Sequence, residues 1–331
     1  MTDQLNLVTG ATGFIGSNLA RQLARDGQRV RVLVRRPEKL KTVGLKPDEV
    51  VKGDITDPDA VGRALEGVHR VYAIAGTFRE PNLGDADYRR VNVEAVRIMM
   101  QQAAEQGATR VVHCSTCGVH GNVPRGESID EDQPFRGVGI YEETKAAGDR
   151  LARELGEQLG VEAVVVRPTQ VYGPGDTRLL KLFKMTDKDR PLMIGDGSGG
   201  YHLVHIDDLV QGLMLAGQHP DAAGQAFLIG GGQVPTVREL FLALGEIHGR
   251  EGQRLRHVPA APVMAAGVIC ETLCRPLNIS PPIYRRRVEF FTNHRSFSID
   301  KARRVLGYEP RVDMVDGLQR TAAWYRQQGL L

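Results

Sequence analysis

Residues 5–16 read LNLVTGATGFIG, and their reading decides the fold. Leu5 to Thr9 forms a short apolar run. Gly10, Gly13 and Gly16 follow it directly, ahead of Phe14, Ile15, Leu19 and Leu23, which recur at helical spacing. The pattern predicts a buried strand turning sharply into a helix. Gly10 permits the turn, Gly13 lets backbone amides approach a pyrophosphate, and Gly16 lets the helix lie close on the sheet. Phosphates held beside Thr12, Phe14 and Ile15 would then meet the positive end of the helix dipole. The expectation is a dinucleotide site.

The spacing is G-x-x-G-x-x-G, with the second glycine one position later than in the common fingerprint. As it stands, TGATGFIG resembles the short-chain dehydrogenase/reductase superfamily. It is closest in kind to the extended branch, the NAD-dependent epimerase/dehydratase and 3β-hydroxysteroid dehydrogenase-like proteins. That resemblance implies an α/β fold: a doubly wound parallel sheet (Rossmann) with a smaller C-terminal α/β substrate lobe. The expected division is a dinucleotide-binding domain at 1–167, with return segments at about 202–230 and 296–300, and a substrate-binding lobe mainly at 168–331.

The bulk numbers agree with small-molecule chemistry. A chain of 331 residues with 41% hydrophobic content can bury a large core. Its net charge of +3, with both signs interspersed, gives no nucleic-acid footprint. From Met1 the chain passes through a polar tripeptide into a core strand, and no apolar run approaches the roughly 20 residues of a membrane span. A cytoplasmic protein without an integral membrane segment is expected. Cys114-x-x-Cys117 and Cys270-x-x-x-Cys274 could suggest a four-thiolate metal site, but reduced, packed thiols are the better reading, and no metal is expected.

The second strand, from Arg29, runs into Arg35 and Arg36. An acidic side chain there would take the adenosine ribose diol of NAD, whereas arginine suits a ribose phosphate. NADP(H) is therefore favoured, with NAD(H) the alternative. By the family resemblance, Asp54 and Ile55, after the third strand, pack at the adenine ring; Asp54 could equally cap the helix from Pro58. Ala73 and Ala75, at the end of the strand Val68–Ala75, offer small residues under the cofactor. A helix over about 87–106 carries Asn92, which in the family braces the strands near the site.

The strand Arg110–Cys114 opens the chemistry. His113-Cys-Ser-Thr-Cys-Gly-Val-His-Gly121 resembles the family segment with a hydroxyl residue five positions before the glycine, here Thr116. Tyr141 and Lys145 stand four apart on one helical face, at the family's interval from Thr116. The resemblance makes Thr116, Tyr141 and Lys145 the catalytic residues. Hydride transfer at a secondary alcohol carbon needs a partner proton transfer at the oxygen. A tyrosine with a pKa near 10 is a poor base at neutral pH, so it needs a nearby cation, here Lys145, to favour its phenolate. Lys145 can also hold the nicotinamide ribose, and Thr116 would donate to the substrate oxygen. Ser115 is a possible second donor to substrate. His113 and His120 are read as structural, with an acid role the alternative.

Further on, Arg167-Pro168-Thr-Gln-Val171-Tyr-Gly-Pro-Gly-Asp176 resembles the family loop that covers the nicotinamide end, which places Pro168 and Val171 at the cofactor. Gly195–Tyr201 is glycine-rich but lacks the following lysine and helix of a phosphate cradle. His202–Val210 matches the family's return to the nucleotide lobe, with Asp207 as a helix cap. Thr236 and Glu239 form a capping box. The apolar stretch 259–274 is expected to pack inside the small lobe, with a membrane-surface role the alternative. Arg285–Arg287 reads as solvated charge. Ser296–Pro310 matches the family's closing strand and helix.

Three reactions separate on what surrounds the triad. Sugar 4,6-dehydratases place Asp-Glu after the hydroxyl residue, where this chain has Cys117-Gly118. The sugar-nucleotide decarboxylases want a glutamate nearby, which is absent. Nucleotide-sugar 4-epimerases hold NAD tightly and carry R-D-F where this chain has Tyr201-His-Leu203. The reading is an NAD(P)-dependent oxidoreductase of a secondary alcohol or ketone on a sterol-like or other bulky small molecule. A 4-epimerase is the alternative, and a non-catalytic dinucleotide sensor is less favoured. By resemblance alone, a homodimer is expected.

Overall fold

The computed structural model describes residues 4–78, 83–274 and 285–331, with Arg286 described at its backbone only. Along the first half run β1 (Leu5–Thr9), α1 (Phe14–Arg25), β2 (Arg29–Val34), α2 (Lys39–Thr42), β3 (Glu49–Lys52), α3 (Pro58–Leu65) and β4 (Val68–Ala73). Then come α4 (Asp85–Arg89), a π-helical turn at Arg90–Glu94, α5 (Ala95–Glu105) and β5 (Arg110–Cys114). A 3₁₀ turn at Cys117–His120, α6 (Ile140–Leu159) and β6 (Glu162–Pro168) follow.

These strands, joined by a late β10, form one parallel seven-stranded sheet in the order β10-β6-β5-β4-β1-β2-β3. Strand order reverses between β1 and β4, and in such sheets ligands bind in the crevice outside the carboxyl ends at that reversal. Buried alternation feeds two cores. Val8, Val32, Val112 and Val166 face one side, packed with α1; Leu7, Val71, Val111 and Val165 face the other, with α3 and α5.

The second half holds β7 (Gln170–Tyr172), α7 (Leu180–Thr186), β8 (Leu192–Ile194), β9 (Leu203–His205), α8 (Ile206–Gln218) and β10 (Ala226–Ile229). It continues with α9 (Val237–Ile247), β11 (Arg256–Val258), α10 (Ala260–Cys274), α11 (Arg285–Thr292), α12 (Asp300–Leu306) and α13 (Met314–Gln327). Within it, α8 packs on α1, β10 pairs with β6, and Ile299, Ala302, Leu306 and Tyr308 join the first core. Phe183, Met193, Leu240, Phe241 and Tyr325 build a separate core for the lobe.

Several local expectations are corrected. Asp57, not Asp54, caps α3: its carboxylate accepts from the Asp59 amide at 3.1 Å, while Asp54 accepts from Thr56. Asp57 stands directly before Pro58, the residue type that suits the first helical position. His205, not Asp207, caps α8, with Nδ1 accepting from the Asp207 amide at 3.2 Å. The helix expected over 87–106 is present as one continuous run, with the π turn set between α4 and α5. The apolar stretch 259–274 packs on the lobe core only through Ala260, Val263 and Met264; beyond these, α10 buries Gly267 and leaves Val268, Ile269 and Leu273 exposed. It rests mainly on α11. Arg285 and Arg287 are exposed. Among the described residues no helix is long and apolar enough to cross a membrane, and no cluster of metal-ligating side chains occurs. The four cysteines are free thiols, Cys114 and Cys117 buried.

Candidate active site

The glycine-rich turn is locked by close contacts. Gly10 adopts a left-handed φ of +69°, and a Cβ there would meet the Ala75 amide nitrogen at 2.9 Å. A Cβ on Gly16 would lie within 2.3 Å of the Gly10 carbonyl oxygen, so only glycine lets α1 start this close to the turn. The hydroxyl of Thr9 accepts from the Ala75 amide at 3.1 Å, tying the exits of β1 and β4 together. Thr12, Gly13, Phe14 and Ile15 thus present the amino end of α1 to the crevice, where a dinucleotide pyrophosphate would lie.

At the far end of this crevice stand Arg35 and Arg36, both exposed. Arg35 reaches Asp54 at 3.8 Å across the ends of β2 and β3. Ile55, Ala73 and Ala75 line a narrow cleft with Thr9, Asn92 and Lys145. Asn92, brought inward by the π turn, accepts from the Thr77 amide at 3.0 Å and donates to the Thr144 hydroxyl at 3.1 Å. It therefore bolts the loop after β4 to α6, where the expectation was a brace between strands.

A cavity of about 370 Å³ opens at the carboxyl ends of β4, β5 and β6. It gathers Ser115, Thr116, Tyr141 and Lys145 with Ile15, Pro168 and Val171, so the expected catalytic residues and the expected nicotinamide-end residues share one space. Tyr141 sits in the first turn of α6. Lys145, one turn on, is buried and donates to the Cys114 carbonyl at 2.5 Å. Burial pulls its pKa down, and Cys114 and Asp149 oppose that pull. The Thr116 hydroxyl accepts from the Gly118 amide at 3.1 Å, capping the 3₁₀ turn and leaving its proton to donate into the cavity.

Behind the triad lies a buried ion pair. Arg167 on β6 donates to both carboxylate oxygens of Asp149 on α6, at 2.8 and 3.0 Å, and to the Glu131 carbonyl at 2.9 Å. Burial alone would push the Asp149 carboxyl up, but the hydrogen bonds and charge of Arg167 hold it below the ordinary carboxylate range. His113 is pushed down to about 3 by burial and by the charge of Lys145. Burial and Arg167 push His120 down to about 4. Both shifts disfavour the charged ring, and the burial of His113 and His120 fits their structural reading.

Sequence reasoning missed four residues at the site. Phe78 and Arg178 line the cavity, and the Phe78 ring meets Tyr141 edge-on at 5.1 Å. Asp176 lines it too and is buried. Asp149 stands eight residues after Tyr141 on the same helical face, which was the available signal for it.

This fold and this cleft define the class: an extended short-chain dehydrogenase/reductase. The chain belongs to the NAD dependent epimerase/dehydratase family, whose pattern matches residues 6–230. It is 31% identical to the 2-alkyl-3-oxoalkanoate reductase of Stenotrophomonas maltophilia, covering 96% of this chain and 98% of that one. It is 28% identical to the decarboxylating sterol-4-alpha-carboxylate 3-dehydrogenase of Schizosaccharomyces pombe, covering 96% of each. Among solved structures, the dTDP-glucose 4,6-dehydratase DesIV of Streptomyces venezuelae, with NAD and TYD bound, is 30% identical. It superposes with a TM-score of 0.78 over 98% of this chain and 97% of that one. The chain is an enzyme of this NAD-dependent family.

Proposed function

We propose that this enzyme interconverts a secondary alcohol and a ketone by hydride exchange with a freely dissociating nicotinamide dinucleotide. The observation that carries the reading is the convergence of Thr116, Tyr141 and Lys145 on the cavity that Ile15, Pro168 and Val171 also line. The nicotinamide supplies the hydride chemistry when bound. Tyr141 takes or gives the proton at the substrate oxygen, Lys145 favours its phenolate, and Thr116 donates to the same oxygen. Water elimination would need a further acid beside Thr116, and Cys117-Gly118 offer none. The reductase and dehydrogenase named among the relatives support redox chemistry at one carbon.

The cofactor proposed is NADP(H). The side chain of Arg35 is 72% exposed and, among the described residues, held only by the long contact to Asp54, so it can turn onto a ribose phosphate beside Arg36. Stopped-flow absorbance of the nicotinamide tests the reaction. Net oxidation or reduction of added cofactor is expected with a carbonyl or alcohol substrate, whereas conversion of a sugar nucleotide with no cofactor added would replace this reading by epimerisation.

A further inference from the structure

The loop after β7 brings Arg178 to the mouth of the same cavity, and its guanidinium is fixed in an unusual way. Its Nε and its backbone amide both donate to Asp176 Oδ1, at 2.6 and 3.2 Å, and Nη2 donates to the Val171 carbonyl at 3.1 Å. The guanidinium carbon lies 5.6 Å from the ring centroids of both Phe14 and Phe78. Phe14 belongs to the glycine-rich turn, while Phe78 touches Tyr141. The group is therefore anchored along one edge and flanked by two aromatic faces, and a single phenyl ring separates it from the phenol of Tyr141. Such anchoring removes most of the rotamer freedom an arginine must otherwise give up on binding.

Among the described residues the remaining edge has no hydrogen-bond partner. Nη1 makes no hydrogen bond among the described residues, and the side chain is 43% exposed. The other cation lining the cavity, Lys145, is buried and engaged at the Cys114 carbonyl. Arg178 thus offers the cavity's open charged donors, preorganised in the fork geometry that suits two oxygens of one anion. Asp176 is 3% exposed and, among the described residues, its Oδ2 has no hydrogen-bond partner, so the buried carboxylate serves as the anchor.

We infer that Arg178 holds an anionic oxygen group, a carboxylate or phosphate, on the substrate, and so selects acids over neutral alcohols. The inference rests on the proposed function in placing substrate in this cavity. It is tested by titrating wild type and Arg178→Gln, saturated with NADP+, with 3-hydroxydecanoate, its methyl ester and uridine diphosphate. The cofactor-free proteins are titrated with ADP-ribose, which carries the cofactor's own pyrophosphate. Wild type is expected to bind one of the two anions more tightly than the ester. Arg178→Gln should weaken that anion roughly 10- to 100-fold, as for a lost charge-assisted pair, and leave the ester and ADP-ribose within about two-fold. Arg178→Lys should recover part of the loss, and Asp176→Asn/Arg178→Gln, which removes both charges, should show the same selective loss if the single variant folds poorly. Wild type that binds neither anion better than the ester overturns the inference, as does an equal loss of ADP-ribose, which would assign Arg178 to the cofactor. If wild type binds no nicotinamide dinucleotide, the proposed function fails by itself. In that case 3-hydroxydecanoate, its methyl ester and uridine diphosphate are titrated into the cofactor-free wild type and Arg178→Gln, and the same comparison decides the role of Arg178.

Discussion

Replacing Arg167 by Met should be among the most damaging single changes in the molecule, although the residue lines no cavity wall described above. Arg167 is 1% exposed and Asp149 is fully buried; the two share two hydrogen bonds, and Arg167 gives a third to Glu131. Removing one partner of a buried pair costs about 3–5 kcal/mol, and the partly exposed Arg153, 3.7 Å from Asp149, offsets only part of that. With an unfolding entropy of roughly 2 cal/mol/K per residue, this lowers Tm by about 4–7 °C if the chain melts as one unit. Differential scanning calorimetry at pH 7 reads the loss. The pH dependence has a definite sign. In wild type the folded pKa of Asp149 is depressed, so its contribution is present above the unfolded value near 4 and is lost as pH falls through the folded value. Without Arg167, burial raises that pKa, and the deficit of the variant should shrink as pH falls toward about 4. Arg167→Met/Asp149→Leu, with both charges gone, should recover much of the stability. Because the pair bolts β6 to the helix carrying Tyr141 and Lys145, the single variant should also lose kcat. A Tm change within about 1 °C, or a double variant as unstable as the single, would refute the reasoning.

Two further outcomes follow from the cofactor cleft. Gly16→Ala gains at most about 1 kcal/mol of helix propensity, but its Cβ would sit 2.3 Å from a backbone oxygen. Relieving that overlap costs about 1–3 kcal/mol, so a net loss of stability and a cofactor Kd raised about ten-fold or more are expected by calorimetry and fluorescence titration. Arg35→Ala/Arg36→Ala should cut the preference for NADPH over NADH about ten-fold or more, and an unchanged ratio of the two Kd values would count against arginine recognition of the ribose phosphate.

The parts of the site legible in sequence are those set by local chemistry. Gly10 and Gly16 are dictated by a turn and a close approach, Tyr141 and Lys145 by one helical turn, and Thr236 with Glu239 by a capping box that the structure contains. Caps were harder to place, because Asp54, Asp57 and Asp207 are chemically equivalent candidates and a histidine such as His205 is an uncommon cap. The exposure of α10 was illegible since its apolar residues surround the helix instead of marking one face. Asn92 to Thr144 and Arg167 to Asp149 join elements 52 and 18 residues apart, so their partners could not be read from spacing. Arg178 was hidden for the same reason: what makes it useful is two aromatic rings, Phe14 and Phe78, from distant parts of the chain.

The most direct measurement of the central claim is cofactor binding and hydride transfer by Tyr141→Phe, followed through the nicotinamide signal. Loss of the hydroxyl should leave the cofactor Kd within about two-fold and lower the transfer rate roughly 10²- to 10⁴-fold, the range of a missing acid/base group. A transfer rate equal to wild type would contradict the account.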